Sequence, residues 1–232
     1  MTKDLNLKKF LPDVHSPLEI EGPISDIAIF RDSYGIPHVN AMNTTDAFFG
    51  QGFATAQDRL WHMDSDRRRA YGRWAEIVGP TGLEQDILMT KFQLKESSES
   101  DYKTLNDQTI DMLEAYASGV NAFIESTEIL PIEYQLLESY PDPWTAWDCL
   151  SVLKVRHILM GVYEAKIWRA RLVEAIGLKK TAHLHPHYEK DSLLILPPGS
   201  EYSGSTLDAL IELDEASGGL EWLNPLDIGS NN

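Results

Sequence analysis

Basic residues are scarce in this chain. Twenty lysines and arginines stand against 36 aspartates and glutamates, a formal net charge of −16 with a pI near 4.7. Nucleic acid and anionic membrane surfaces both need a basic footprint, so neither is an expected partner. Cysteine is nearly absent: the lone Cys149 excludes an internal disulfide and leaves the redox compartment open. No run approaches the ~20 apolar residues that cross a bilayer. The N-terminus, MTKDLNLKKFLPDVH, lacks the apolar segment of a signal peptide. As written, the sequence points to a soluble, cytoplasmic protein. No internal repeat is visible.

What is present is ordinary globular material. Hydrophobic residues make up 43% of 232 residues, enough for one large domain or two small ones. After a polar lead-in, 1–17, three short strands are expected at Leu18–Gly22, Ile27–Arg31 and Ile36–Ala41, the last two forming a hairpin around Asp32–Gly35. From Thr45 the apolar positions Phe49, Phe53, Ala56, Leu60 and Met63 recur at spacings of three and four, one face of a long helix. Thr44 or Thr45 can cap it, Asp46 suits its first turn, and Gly72 can end it. Thr81–Asp101 reads as a short helix and a polar connection. A second long helix follows Asn106 or Asp107, with Gly119 inside it at a cost of ~1 kcal/mol against alanine, a sign of close packing. Thr145-Ala-Trp-Asp148 is a capping-box pattern, and a third long helix should run from it to about Ile176, stopped by Gly177. Leu193–Leu196 could be a strand. Residues 199–219, rich in Ser, Gly, Asp and Glu, read as a spacer. The domain reading is therefore 1–17, 18–198, 199–219 and a closing segment, 220–232. Three apolar helix stripes with three short strands to cover them predict exposed apolar surface on the isolated chain.

Several stretches carry a more specific signal: RDSYGIPHV, FFGQGFATAQDRLWHMDSDRRRAYGRWAEIVG, LPIEYQLL with PDPWTAWD, and the terminal GSN. In that order and spacing they resemble the α-chain of the penicillin acylase family of N-terminal-nucleophile hydrolases, together with the first residues of its β-chain. The resemblance covers most of Ile20–Lys179 and returns at the C-terminus. It implies an α+β chain, the mostly helical α-chain portion of an αββα sandwich whose sheets are built largely by the β-chain. It also implies self-cleavage at Gly229–Ser230, with Ser230 becoming the nucleophile and its freed α-amine the base. A free α-amine has a pKa of about 7.7–8, near the optimum for a base at neutral pH. On composition alone Ser230 would be a serine in a frayed terminus. The substrate implied is a small molecule with an N-acyl amide, of penicillin or cephalosporin type or an acyl-homoserine lactone. The β-chain of the same precursor, absent after Asn232, would be the partner, and the chain alone should be inactive. A non-enzymatic helical fragment that only binds a partner, or a pseudogene product, is the competing reading. The family also leaves a periplasmic location open.

Other residues divide between chemistry and structure. Asp58, Arg59, Arg67 and Arg68 read as structural ion pairs, Asp58 and Asp66 serving the neighbouring arginines, because charges removed from water must be paired. His38 is a structural strand histidine or a ligand. His157, Met160 and Tyr163, at spacings of three, fall on the helix that the resemblance assigns to the acyl pocket; plain core contacts are the alternative. No motif demands a cofactor. The resemblance brings in calcium, held by a glutamate of this helix, but alignment puts Lys166 at that position, with Glu164 two residues away. An ammonium cannot ligate calcium, so either Glu164 serves or the site is lost. His183, His185 and His187 alternate and would share a face in an extended strand, as a zinc or nickel cluster. With no Cys or placed acid to complete the set, a polar loop competes.

Overall fold

The computed structural model describes residues 7–160 and 163–184. Strands β1 (Ala28–Arg31) and β2 (Pro37–Asn40) form an antiparallel pair with Phe30 opposite His38. Asp32 closes the turn: its Oδ1 accepts the amide N–H of Tyr34 at 2.8 Å and of Ile36 at 3.0 Å. Gly35 there has φ +78°, a conformation open to glycine at no steric cost. Leu18–Gly22, expected as a strand, is irregular. The residues before β1 are held by side-chain hydrogen bonds instead. Asp46 is 1% exposed and accepts the N–H groups of Ile24 and Ser25 at 2.8 and 3.0 Å.

Helix α1 (Thr44–Ala70) is capped one residue earlier than expected, by Asn43, whose Oδ1 accepts the Asp46 N–H at 2.8 Å. The extended backbone of Asn43 and its short carboxamide reach that amide directly. Gly72, with φ +63°, ends the segment, its N–H donated to the Arg69 carbonyl. Short α2 (Ala75–Val78) follows, then α3 (Leu83–Phe92) and α4 (Leu94–Tyr102), two helices where one and a connection were expected. Helix α5 (Asp107–Ser126) is capped by Asn106. After α6 (Ile132–Leu136) comes α7 (Ala146–Met160), then α8 (Tyr163–Ile176) and α9 (Leu178–Leu184). The third long helix of the sequence reading is helical on both sides of residues 161 and 162, which lie outside the described residues. Gly177, φ +84°, closes α8 by donating its N–H to Val173 at 2.8 Å.

Packing groups the chain into two compact units, 1–156 and 157–232. The core of the first is α1 against α5. Phe49, Phe53, Ala56, Leu60 and Met63 meet Ala117, Val120, Phe123 and Ile124, with Tyr134 and Trp144 closing one end. Phe53 and Phe123 are edge to face at 5.6 Å, a favoured aromatic geometry. At the crossing, a Cβ on Gly52 would strike the backbone of Tyr116, and one on Gly119 the backbone of Phe49. Two stripes expected to lie open therefore cover each other. Exposed large apolar residues concentrate instead on the N-terminal arm and hairpin, at Leu18, Ile24, Phe30, Tyr34, Ile36 and Met42. Among the described residues no helix is long and apolar enough to cross a membrane.

Candidate functional site

The face of α1 that is apolar as far as Met63 becomes charged in its last two turns. Asp64, Asp66, Arg67 and Arg68 are all at most 5% exposed. Asp64 sits at the centre. Its Oδ1 accepts Arg67 Nη2 at 2.6 Å and its Oδ2 accepts Arg68 Nε at 3.0 Å, the i+3 and i+4 neighbours that a helix places together. The Tyr134 hydroxyl donates to Oδ2 at 3.2 Å. Arg67 continues the cluster, donating to Asp148 Oδ2 at 3.2 Å and to the carbonyls of Asp142 and Pro143 at 3.0 Å, with its guanidinium over the Trp144 ring. Arg68 reaches Glu76 and the Tyr140 carbonyl, both at 2.9 Å. One cluster thus ties the end of α1 to the Tyr140–Trp144 loop and the start of α7.

Asp148 shows why that loop is rigid. Its carboxylate accepts the Thr145 N–H at 2.7 Å, half of the expected capping box, while Thr145 Oγ1 is buried without a partner. It also accepts the Tyr71 hydroxyl. Burial alone would push the Arg67 guanidinium down, but Asp64 and Asp148 outweigh it and hold it above its ordinary value. Tyr71 is raised by burial and by its bond to Asp148, and Tyr134 by burial and by the charge of Asp64. A guanidinium stays protonated and so cannot act as a base. The cluster positions backbone and supplies no proton acceptor to an open cleft.

An alkaline test follows. Folded Tyr71 and Tyr134 keep protons that the unfolded chain releases near pH 10, so their stabilisation is complete below about pH 10 and is lost as pH rises beyond it. Tyrosinate absorbance from these two is expected only together with loss of helical circular dichroism. Complete tyrosine titration near pH 10 in a still-folded chain would contradict the geometry.

The other sequence-derived residues are scattered. Asp58 pairs at 2.7 Å with Arg31, whose guanidinium also reaches Gln57 and the Gly35 carbonyl, latching the hairpin onto α1. Arg59, read as a partner in such pairs, lies exposed where α1 departs from helical geometry (φ −142°, ψ 21°), and it pairs with no described carboxylate. Asp66 bonds not to the nearby arginines but to Arg156 of α7, at 2.6 Å. His38 stacks on Phe30 with 4.9 Å between ring centroids and lies 3.2 Å from Asp32. His157 and Met160 are both exposed at the end of α7, Met160 at 76%. Tyr163 and Glu164 open α8, and Lys166 is exposed on it. Ser230 and Gly229 lie outside the described residues, as do His185, His187 and the 193–196 strand. His183 belongs to α9, a helix rather than the extended strand its alternation required. Among the described residues, no three His, Cys, Asp or Glu side chains converge as metal ligands.

Sequence reasoning missed Asp64, Tyr71 and Tyr134. The i+3 and i+4 spacing of Asp64 to Arg67 and Arg68 was the available signal. Burial pushes the Cys149 thiol up to about 11, which favours its protonated form at neutral pH. A groove of about 830 Å³ lies between the arm at Asp13–Ile29 and Phe49, Gly50, Phe53 and Gln57.

Comparison with known proteins supplies what these residues do not. The penicillin amidase family model matches residues 26–232. Penicillin acylase 2 proenzyme of Pseudomonas sp. (strain SE83) is 38% identical over 195 residues, 84% of this chain and 25% of that protein. Acyl-homoserine lactone acylase QuiP of Pseudomonas aeruginosa is 31% identical over 185 residues, 79% of this chain and 22% of that protein. A thermostable penicillin G acylase from Alcaligenes faecalis, a solved structure, aligns with a TM-score of 0.60 at 26% identity, covering 76% of this chain and 100% of that one. The chain spans about a quarter of the length of the curated relatives it matches.

Proposed function

The chain belongs to the penicillin amidase family, and from that premise we propose that it is the N-terminal, α-chain segment of a self-processing amidase. The observation that carries this reading is the family match, which runs through Gly229-Ser230-Asn231 to residue 232. The complete coverage of a solved relative's chain by this one supports a two-chain enzyme. In the proposed reaction, cleavage of the Gly229–Ser230 peptide bond frees the Ser230 α-amine. That amine takes the hydroxyl proton as Oγ attacks the acyl carbonyl. The proton passes to the departing amine as the C–N bond breaks, and water then hydrolyses the acyl ester. The substrate class is an N-acyl amide, and the leaving amine is a β-lactam nucleus or a homoserine lactone. His157, Met160 and Tyr163 would line the acyl site. No step is routed through calcium.

The test is expression of the full-length precursor, reading beyond residue 232. Mass spectrometry should find a new chain beginning at Ser230, and the processed protein should hydrolyse a chromogenic N-acyl amide. Ser230→Ala should abolish processing and lower turnover by at least about 10⁴-fold. Residues 1–232 alone should show no turnover. A precursor that stays uncut yet hydrolyses the amide, or a Ser230→Ala variant that keeps its activity, would overturn the proposal.

A further inference from the structure

Helix α1 leaves helical geometry inside its length at Arg59. Neither proline nor a glycine–serine pair, the residues that commonly kink a helix, lies within a turn of it. The kink falls beside a cavity of about 530 Å³, lined by Gly35 of the hairpin turn, by Arg59, Trp61 and His62 of α1, and by Pro131 and Glu133 at the start of α6. Arg31 and Asp58 also line it, but their charges are spent on each other at 2.7 Å, and Arg31 further bonds Gln57 and the Gly35 carbonyl. Arg59 is exposed and pairs with no described carboxylate, Glu133 in the same cavity included.

That isolation is not for want of acids, since 36 aspartates and glutamates face 20 lysines and arginines. The other arginines of this unit are engaged: Arg67, Arg68, Arg73 and Arg156 in ion pairs, and Arg69 over the Trp74 ring. Exposed apolar side chains stand next to two of the lining residues. Tyr34, 88% exposed, and Ile36 flank Gly35, and Leu136 follows Glu133 by three residues on α6, which puts the two on one helix face. Arginine and tyrosine are residue types that dominate binding energy at protein interfaces. This chain spans about a quarter of the length of its curated relatives, so most of such a protein lies outside it.

We infer that the Arg59 cavity is a docking point for the β-chain, where Arg59 receives an aspartate or glutamate side chain of that chain and Tyr34, Ile36 and Leu136 cover apolar groups beside it. The inference rests on the reading above that a β-chain follows. A carboxylate fits the guanidinium fork with two parallel hydrogen bonds, and water excluded by apolar neighbours strengthens the pair. The role lies in chain association and not in the reaction.

The experiment uses the full-length precursor. In Arg59→Lys, a water-soluble carbodiimide joins the introduced amine to a carboxylate in contact with it. Mass spectrometry should find the link from position 59 to an aspartate or glutamate beyond residue 232. A link only to a carboxylate within residues 1–232, such as Asp58 or Glu133, or no link at all, would overturn the inference. In parallel, Arg59→Ala and Arg59→Glu should speed separation of the two processed chains by at least about tenfold, as losing one partner of a desolvated charge pair does. Separation at the parent's rate in both variants would overturn it as well. Processing is read in the same samples. A precursor that stays uncut defeats the self-processing reading, while the carbodiimide link still decides the docking point, because it needs only the two segments in contact.

Discussion

Gly119→Ala is expected to destabilise the first unit severely, by about 3 kcal/mol or more, at the upper end of overpacking costs. Helix propensity argues the other way, since alanine is favoured over glycine by about 1 kcal/mol in a helix interior. The sign is decided by what the new methyl meets. It meets the backbone of Phe49 on α1, which cannot rotate aside as a side chain could. Relief requires the helices to part, and parting them strips contact from Phe53, Val120 and Phe123 along the same seam. Gly52→Ala should behave alike, because its methyl would strike the Tyr116 backbone. The double variant should cost less than the sum of the two singles, since one separation relieves both clashes. Urea melts of the processed enzyme carrying each variant would measure this. A Gly119→Ala protein as stable as the parent would show that α1 and α5 can move apart without loss.

Asp64→Ala should be comparably damaging, costing about 3–5 kcal/mol, the range for breaking a buried ion pair from one side. The loss leaves two buried guanidiniums short of their shared partner and removes the acceptor of the Tyr134 hydroxyl. Arg67 and Arg68 keep Asp148, Glu76 and loop carbonyls, which should hold the effect within that range. Asp58→Ala is the control. Its pair with Arg31 is partly solvated, and exposed pairs contribute roughly 0–1 kcal/mol. Comparing melting temperatures of the two variants in one background separates them. Equal losses would mean that the cluster around Asp64 is no more important to folding than the hairpin latch.

The two substitutions mark where sequence reasoning succeeded and where it stopped. The apolar stripe of α1 was legible because it obeys a period of 3.6, and Gly119 was legible as a close-packing site because glycine is costly inside a helix. The partner of that stripe was not legible. Periodicity shows which face is buried and says nothing of what buries it, so α5 was not recognised as the cover. Charge pairing failed in the same manner. Asp58 and Asp66 were assigned to arginines adjacent in sequence, yet their partners are Arg31 and Arg156, 27 and 90 residues away. Asp64, overlooked, took the local arginines.

By itself, then, the sequence determined the helical character of the chain, the hairpin turn, the glycine stops at Gly72 and Gly177, and through its motifs the family. Each depends on neighbours within about a turn, or on an ordered pattern of residue types, and both are written in the linear chain. Only the tertiary structure decided which helix covers which, and that Asp148 serves Arg67 and Tyr71 as well as its own helix start. Those outcomes depend on groups brought together from distant positions. A buried carboxylate takes the donors that geometry leaves within about 3 Å, whatever their separation along the chain.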